Sequence, residues 1–88
     1  MKGNVKRINL ILKLRKLGVT NHQVLSILER IPREKFIDEE LSYKAYQNNA
    51  LPIDCNQTIS QPAVVAKMTE LLEPNKSFKV LEIGTGSG

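Results

Sequence analysis

The sequence predicts an α/β chain, with an N-terminal helical subdomain over residues 1–50 and the opening of a doubly wound parallel sheet over 51–88. Three observations carry that expectation. Apolar residues recur at helical spacing over 4–17 and 24–31, and a third apolar helical face follows Pro62. The apolar run 78–83 then leads directly into Gly84-Thr85-Gly86-Ser87-Gly88, a strand entering a glycine turn as in βαβ units.

Residues 4–17 form the first expected helix. Val5, Ile8, Ile11 and Leu12 share helical spacing, as do Leu10, Leu14 and Leu17, while Lys6, Lys13 and Lys16 fall on one narrow polar face. Lys13, Arg15 and Lys16 complement the dipole at its C-terminal end, and Gly18 accepts the left-handed conformation that closes it. Thr20 or Asn21 caps a second helix, with Gln23 placed as in a capping box opposite Thr20. Val24, Ile27, Leu28 and Ile31 form its stripe, and Pro32 pushes Ile31 out of the helical region. The short connection makes the two helices antiparallel neighbours.

The next stretch turns Phe36 and Ile37 inward, and residues 39–46 make a short helix with Leu41 and Ala45 on one side. Asn48-Asn49 reads as a turn. Leu51-Pro52-Ile53 is an edge strand, because proline cannot donate to a central ladder. Residues 54–62 read as a polar loop ending at Pro62, whose fixed φ suits a first helical turn. Val64, Val65, Met68, Leu71 and Leu72 supply the face of a helix to about Glu73, and residues 78–83 form a buried strand.

Composition narrows the chemistry. The 88 residues hold 41% apolar and 25% charged side chains, an ordinary globular balance that argues against disorder. A single cysteine, Cys55, excludes an internal disulfide framework, and no metal-ligand spacing is present. No apolar run approaches the ~20 residues of a membrane span, and no signal-peptide cleavage pattern follows the N-terminal bases. A reducing, cytoplasmic compartment is therefore expected. Charge is uneven: residues 1–35 carry a net +7 and residues 36–88 a net −3. The basic part could meet nucleic acid, but no aromatic is interleaved to stack bases, so a solvated helix face is the expected reading. His22 reads as a surface histidine, Cys55 as a plain loop thiol, and Tyr43 and Tyr46 as packing residues.

Glycines at 84, 86 and 88 let a loop turn tightly and let a ligand touch its backbone. Any tight strand-to-helix turn can use such glycines, and the spacing departs from the dinucleotide pattern. Glu82, two residues before the first glycine, completes an acid-x-Gly-x-Gly-x-Gly run, the shape seen in S-adenosylmethionine-dependent methyltransferases. Two further segments make the resemblance specific. Leu51-Pro52-Ile53-Asp54-Cys55-Asn56-Gln57-Thr58-Ile59-Ser60-Gln61-Pro62 resembles the signature loop of the protein-L-isoaspartate O-methyltransferases, and Met68-Thr69-Glu70-Leu71-Leu72-Glu73 resembles the helix before their cofactor strand. Ile31-Pro32-Arg33-Glu34-Lys35-Phe36 is similar to their N-terminal segment. Family members often carry glycines in the signature loop, where this chain has Asp54-Cys55-Asn56.

The resemblance implies a truncated Rossmann-like class I methyltransferase fold. It also implies methyl transfer from S-adenosylmethionine to the α-carboxylate of L-isoaspartyl residues in damaged proteins, whose ester then cyclises to a succinimide and reopens partly to aspartate. A carboxylate is already ionised at neutral pH, so no general base is required. Ser60 matches the family's active-site serine, and Thr58 and Ile59 shape the adjoining substrate pocket. Ser60 could equally cap the helix that follows. Glu82, Gly84, Thr85, Gly86 and Gly88 match the cofactor-binding positions, and no metal is implied. The partners implied are isoaspartyl proteins or peptides, with no membrane and no nucleic acid. The chain stops at the glycine turn, so it is expected to be an N-terminal portion that is inactive alone. The competing expectations are half of a split enzyme completed by a C-terminal chain, and a small basic helical nucleic-acid-binding module.

Overall fold

A computed structural model describes residues 2–88, and the side chains from residue 5 onward. Helix α1 spans Lys2–Lys16 and α2 spans His22–Arg30. The Val19 amide bonds back to the Leu14 carbonyl at 3.0 Å across Gly18, whose φ is +102°. The reversal buries Val19 beside Leu14, which is 0% exposed. The cap of α2 is Asn21, whose Oδ1 accepts from the Val24 amide at 3.0 Å. The alternative box built on Thr20 and Gln23 is not used. The amides of Thr20 and Asn21 donate instead to Glu70 Oε2, both at 2.9 Å, so a carboxylate from a distant helix serves the entry to α2. Ile31 turns extended ahead of Pro32, and its amide closes on the Ile27 carbonyl.

The middle of the chain is tighter than expected. Residues Arg33–Phe36 and Glu39–Lys44 form two short 3-10 helices, and no α-helix covers 39–46. Strand β1, Leu51–Ile53, pairs antiparallel with β2, Gln57–Ile59, with Pro52 opposite Thr58. Residues 54–62 are therefore not all loop. Helix α3, Pro62–Leu72, ends at Glu73 in the left-handed conformation.

Leu10, Ile11, Leu14, Val19, Val24, Leu25 and Ala66 form the core, with Leu28, Tyr46 and Ala63 against it. Ala66 lets α3 approach α1 and α2 closely. The rest of the apolar face of α3 is not used in this way: Val64, Met68, Leu71 and Leu72 are exposed. Val5, Ile8 and Leu12 on α1 and Leu17 just after it are exposed too, so the buried stripe of that helix is Leu10, Ile11 and Leu14, which takes members from both expected apolar sets.

The expected strand at 78–83 does not form. Those residues are irregular, with Leu81 84% and Ile83 89% exposed. A strand is held by ladder bonds to neighbours, and a parallel strand needs partners separated by crossovers. The one sheet among the described residues is the β1–β2 hairpin, so residues 78–83 have nothing to pair with. The architecture is mixed helix with a small antiparallel sheet, and among the described residues there is no parallel strand of a doubly wound fold. Among the described residues no helix is long and apolar enough to cross a membrane.

Two polar ties join distant elements. Arg7 donates from Nε to the Tyr46 hydroxyl at 2.7 Å and from Nη2 to Glu34 Oε1 at 3.0 Å, and the Tyr46 hydroxyl donates to Glu34 Oε2. Tyr46 thus packs as expected, while Tyr43 lies exposed under the Lys44 ammonium. Glu70 is the second tie. The Asn21 amide, Lys67 (3.0 Å) and the Thr20 amide together hold its carboxyl below the ordinary value. A carboxyl lowered on folding stabilises the fold above its unfolded value, about 4.3, and loses that contribution as pH falls through the lower folded value. Glu70→Gln is expected to lower the melting temperature at pH 7 and to flatten the acid limb of the melting-temperature–pH curve. Equal acid limbs for wild type and variant would show that the tie contributes nothing.

Candidate functional site

Thr58, Ile59 and Ser60 leave the hairpin along the edge of a cavity of about 420 Å³. On its other side lie Glu82, Gly84, Thr85, Gly86, Ser87 and Gly88. All eight site residues singled out in the sequence therefore wall one space, although α3 and a further turn separate the two groups in the chain. Leu10, Leu28, Ile31, Phe36 and Val65 form the apolar remainder of the wall, along with Ile53 and Pro62. Arg33 and Glu82 are the two fully charged side chains in the lining.

Ser60 is exposed, and among the described residues its hydroxyl makes no hydrogen bond to the helix that follows. The capping alternative is therefore not what the structure shows. Gln61 occupies the cap position without a side-chain bond, and the Ala63 amide at the start of α3 is taken by Asn48 Oδ1 at 2.9 Å. The Asn48-Asn49 turn thus does the work that the sequence left open to Ser60 as one of two alternatives.

The glycine turn lies close against earlier parts of the chain. A Cβ on Gly86 would stand 3.2 Å from Ile53 Cδ1, and one on Gly88 would stand 3.2 Å from the Phe36 ring. Both residues have positive φ, +63° and +126°. Side chains at these positions would press on the hairpin and on Phe36 and strain the backbone. Glu82 belongs to the lining of the same cavity.

Arg33 was not among the site residues expected from sequence. It sits in the first 3-10 helix, half-buried, and its Nη2 donates to the Ser60 carbonyl at 3.1 Å and to the Asn49 carbonyl at 3.3 Å. Its Nε is buried and has no partner among the described residues. Burial pushes the guanidinium below its ordinary value, with Tyr46 opposing, yet arginine titrates so high that it remains charged at neutral pH. Tyr46 and Phe36 also line the cavity. The signal that could have found Arg33 is the segment from Ile31 to Phe36, which carries an arginine directly after a helix-ending proline.

The hairpin turn shows what its unusual residues cost. Cys55 and Asn56 adopt φ of +63° and +56°, the left-handed region that glycine enters freely and other residues enter at about 1–2 kcal/mol. Asparagine is the better tolerated of the two. Cys55 is exposed, so little burial offsets that cost. Cys55→Gly is expected to relieve strain in the turn and to raise stability by roughly 0.5–1 kcal/mol, net of the entropy glycine adds to the unfolded chain. Denaturant titration checks this, and a lower midpoint for the variant would contradict it. Among the described residues no cluster of His, Cys, Asp or Glu is arranged to hold a metal ion, and His22 is exposed at the start of α2.

Comparison with known proteins matches residues 5–88 to the family described as Protein-L-isoaspartate(D-aspartate) O-methyltransferase. A protein named protein-L-isoaspartate O-methyltransferase from Parvibaculum lavamentivorans is 55% identical over 86 residues, which is 98% of this chain and 39% of that protein. Proteins of the same name from Yersinia enterocolitica and Yersinia pestis are 54% and 52% identical over 85 residues, 97% of this chain and 41% of each relative. The chain thus spans about two fifths of the length of these relatives.

Proposed function

The chain belongs to the protein-L-isoaspartate(D-aspartate) O-methyltransferase family, and from that premise we propose that it supplies the substrate loop and the start of the cofactor pocket of such an enzyme. The reaction is methyl transfer from S-adenosylmethionine to the α-carboxylate of L-isoaspartyl residues in damaged proteins. The supporting observation is that Thr58, Ile59 and Ser60 share one cavity with Glu82 and the glycine turn, with Arg33 as the cationic group in its wall.

S-adenosylmethionine supplies a methyl group on a sulfonium that carries its own leaving group. Gly84, Thr85, Gly86 and Gly88 offer backbone to it, and Glu82 offers negative charge. The chain's task on the substrate side is alignment. The carboxylate is ionised at neutral pH and gives up no proton, so neither a general base nor a nucleophilic side chain is needed. Ser60 holds the reacting carboxylate in place, and Thr58 and Ile59 shape the path of the peptide. On this reading residues 1–50 are a helical subdomain and 51–88 begin the methyltransferase domain. The exposure of Val80, Leu81 and Ile83 favours completion by further strands, in the same polypeptide or in a complementing C-terminal chain.

The test is methyl incorporation by the full-length protein that carries this segment. Paired peptides would differ in one residue, L-isoaspartyl or L-aspartyl, with S-adenosylmethionine as donor. The expected result is a base-labile methyl ester on the isoaspartyl peptide alone. Equal labelling of both peptides, or of neither, would overturn the reading.

A further inference from the structure

We propose that Arg33 is a positioning residue, which sets Ser60 by clamping both ends of the β1–β2 hairpin. The inference rests on the substrate reading above. The hairpin has three residues in each strand, and a two-stranded ladder of that size is marginal by itself. Its entry passes through Asn49 and its exit through Ser60. One Arg33 nitrogen, Nη2, carries two hydrogens and donates to the carbonyls of both, at 3.3 and 3.1 Å. The clamp itself is anchored. Glu34, the next residue, is bound to Arg7 of α1 at 3.0 Å and to Tyr46, and the Lys35 amide closes on the Pro32 carbonyl at 3.0 Å. Polar contacts therefore tie Glu34 to the helical core, and its covalent neighbour Arg33 carries the tie on to the backbone of Ser60. Cavity position adds a second reason for arginine: its charge faces the space where an anionic substrate would be aligned.

Alignment is the contribution asked of this loop, and misplacement by about 1 Å can cost on the order of 10²-fold in rate. Arg33→Gln and Arg33→Lys in the full-length protein test the clamp. The first removes the charge. The second keeps charge and N–H donors, but carries them on a tetrahedral ammonium at the end of a flexible stem, which does not hold both carbonyls from the position of Nη2. For both, kcat on the isoaspartyl peptide is expected to fall by roughly 10- to 100-fold, with less in Arg33→Lys, while the dissociation constant for S-adenosylmethionine stays within about twofold. Amide exchange over residues 49–60 is expected to accelerate, with exchange in α1 and α2 unchanged. Unchanged kcat, a kcat loss no larger than the loss of folded protein, or unchanged hairpin exchange would each overturn the proposal. If Arg33→Gln fails to fold, Arg33→Lys decides by the same criteria. A wild-type protein inactive on the isoaspartyl peptide would refute the substrate reading, and hairpin exchange in the variants would then decide the clamp.

Discussion

Ser60→Ala in the full-length protein is expected to lower methyl transfer by about 10²-fold while leaving stability nearly unchanged. The separation of the two effects follows from the structure. A serine that capped α3 would contribute about 1 kcal/mol to stability. Here Asn48 takes the Ala63 amide, and Gln61 stands at the cap, so the hydroxyl of Ser60 is free of that duty. It is exposed at the cavity edge, where the removal of one oxygen leaves no buried group unsatisfied. Rate should therefore fall with kcat, and the melting temperature should move by no more than a degree or two, as for an ordinary surface change. Parallel losses of rate and melting temperature, with turnover per folded molecule unaltered, would remove Ser60 from the site.

Gly86→Val carries the second large effect, an expected loss of at least tenfold in affinity for S-adenosylmethionine, read by isothermal titration on the full-length protein. Two penalties act together. Valine is β-branched and is a poor occupant of a φ of +63°. Its Cβ would also stand 3.2 Å from Ile53 Cδ1, before either methyl is placed, so either the end of that side chain or the turn itself must give way. Gly84→Ala is the matched comparison. Its φ is also positive, +77°, but a Cβ there meets nothing within 4 Å. It should weaken binding by less, through strain of about 1–2 kcal/mol alone. Equal affinities for wild type and Gly86→Val would show that the turn does not approach the cofactor.

Several elements were legible in the sequence because their causes are local. The 3.6-residue spacing of Leu10, Leu14, Val24 and Leu28 needs no partner to be read, and Gly18 and Pro32 end the helices by their own backbone restrictions. Pro62 opening α3 belongs to the same class. The site motifs were legible for a different reason. Glu82 and the glycines at 84, 86 and 88 are a recognisable run, as is the loop from Gln57 to Pro62, and resemblance carried their roles where periodicity could not.

Errors fell where the cause lies far away in the chain. Residues 78–83 have the composition of a buried strand, but composition does not supply ladder partners, and without them the segment stays irregular and exposed. Thr20 and Gln23 have capping-box spacing, yet a carboxylate 50 residues away takes the Thr20 amide, because α3 packs with Glu70 over that turn. Arg33 looked like one more charge of a basic N-terminal half.

Sequence alone determined the three helices, their stops, the family resemblance and the two segments proposed to carry the chemistry, because each is read from neighbours within a few residues. Tertiary structure alone decided that those segments share one cavity, that Asn48 rather than Ser60 serves the start of α3, and that Arg33 spans both feet of the hairpin. These are contacts between residues 15 to 27 positions apart or more. Their geometry follows from how helices close on a shared apolar core, and no local pattern encodes it.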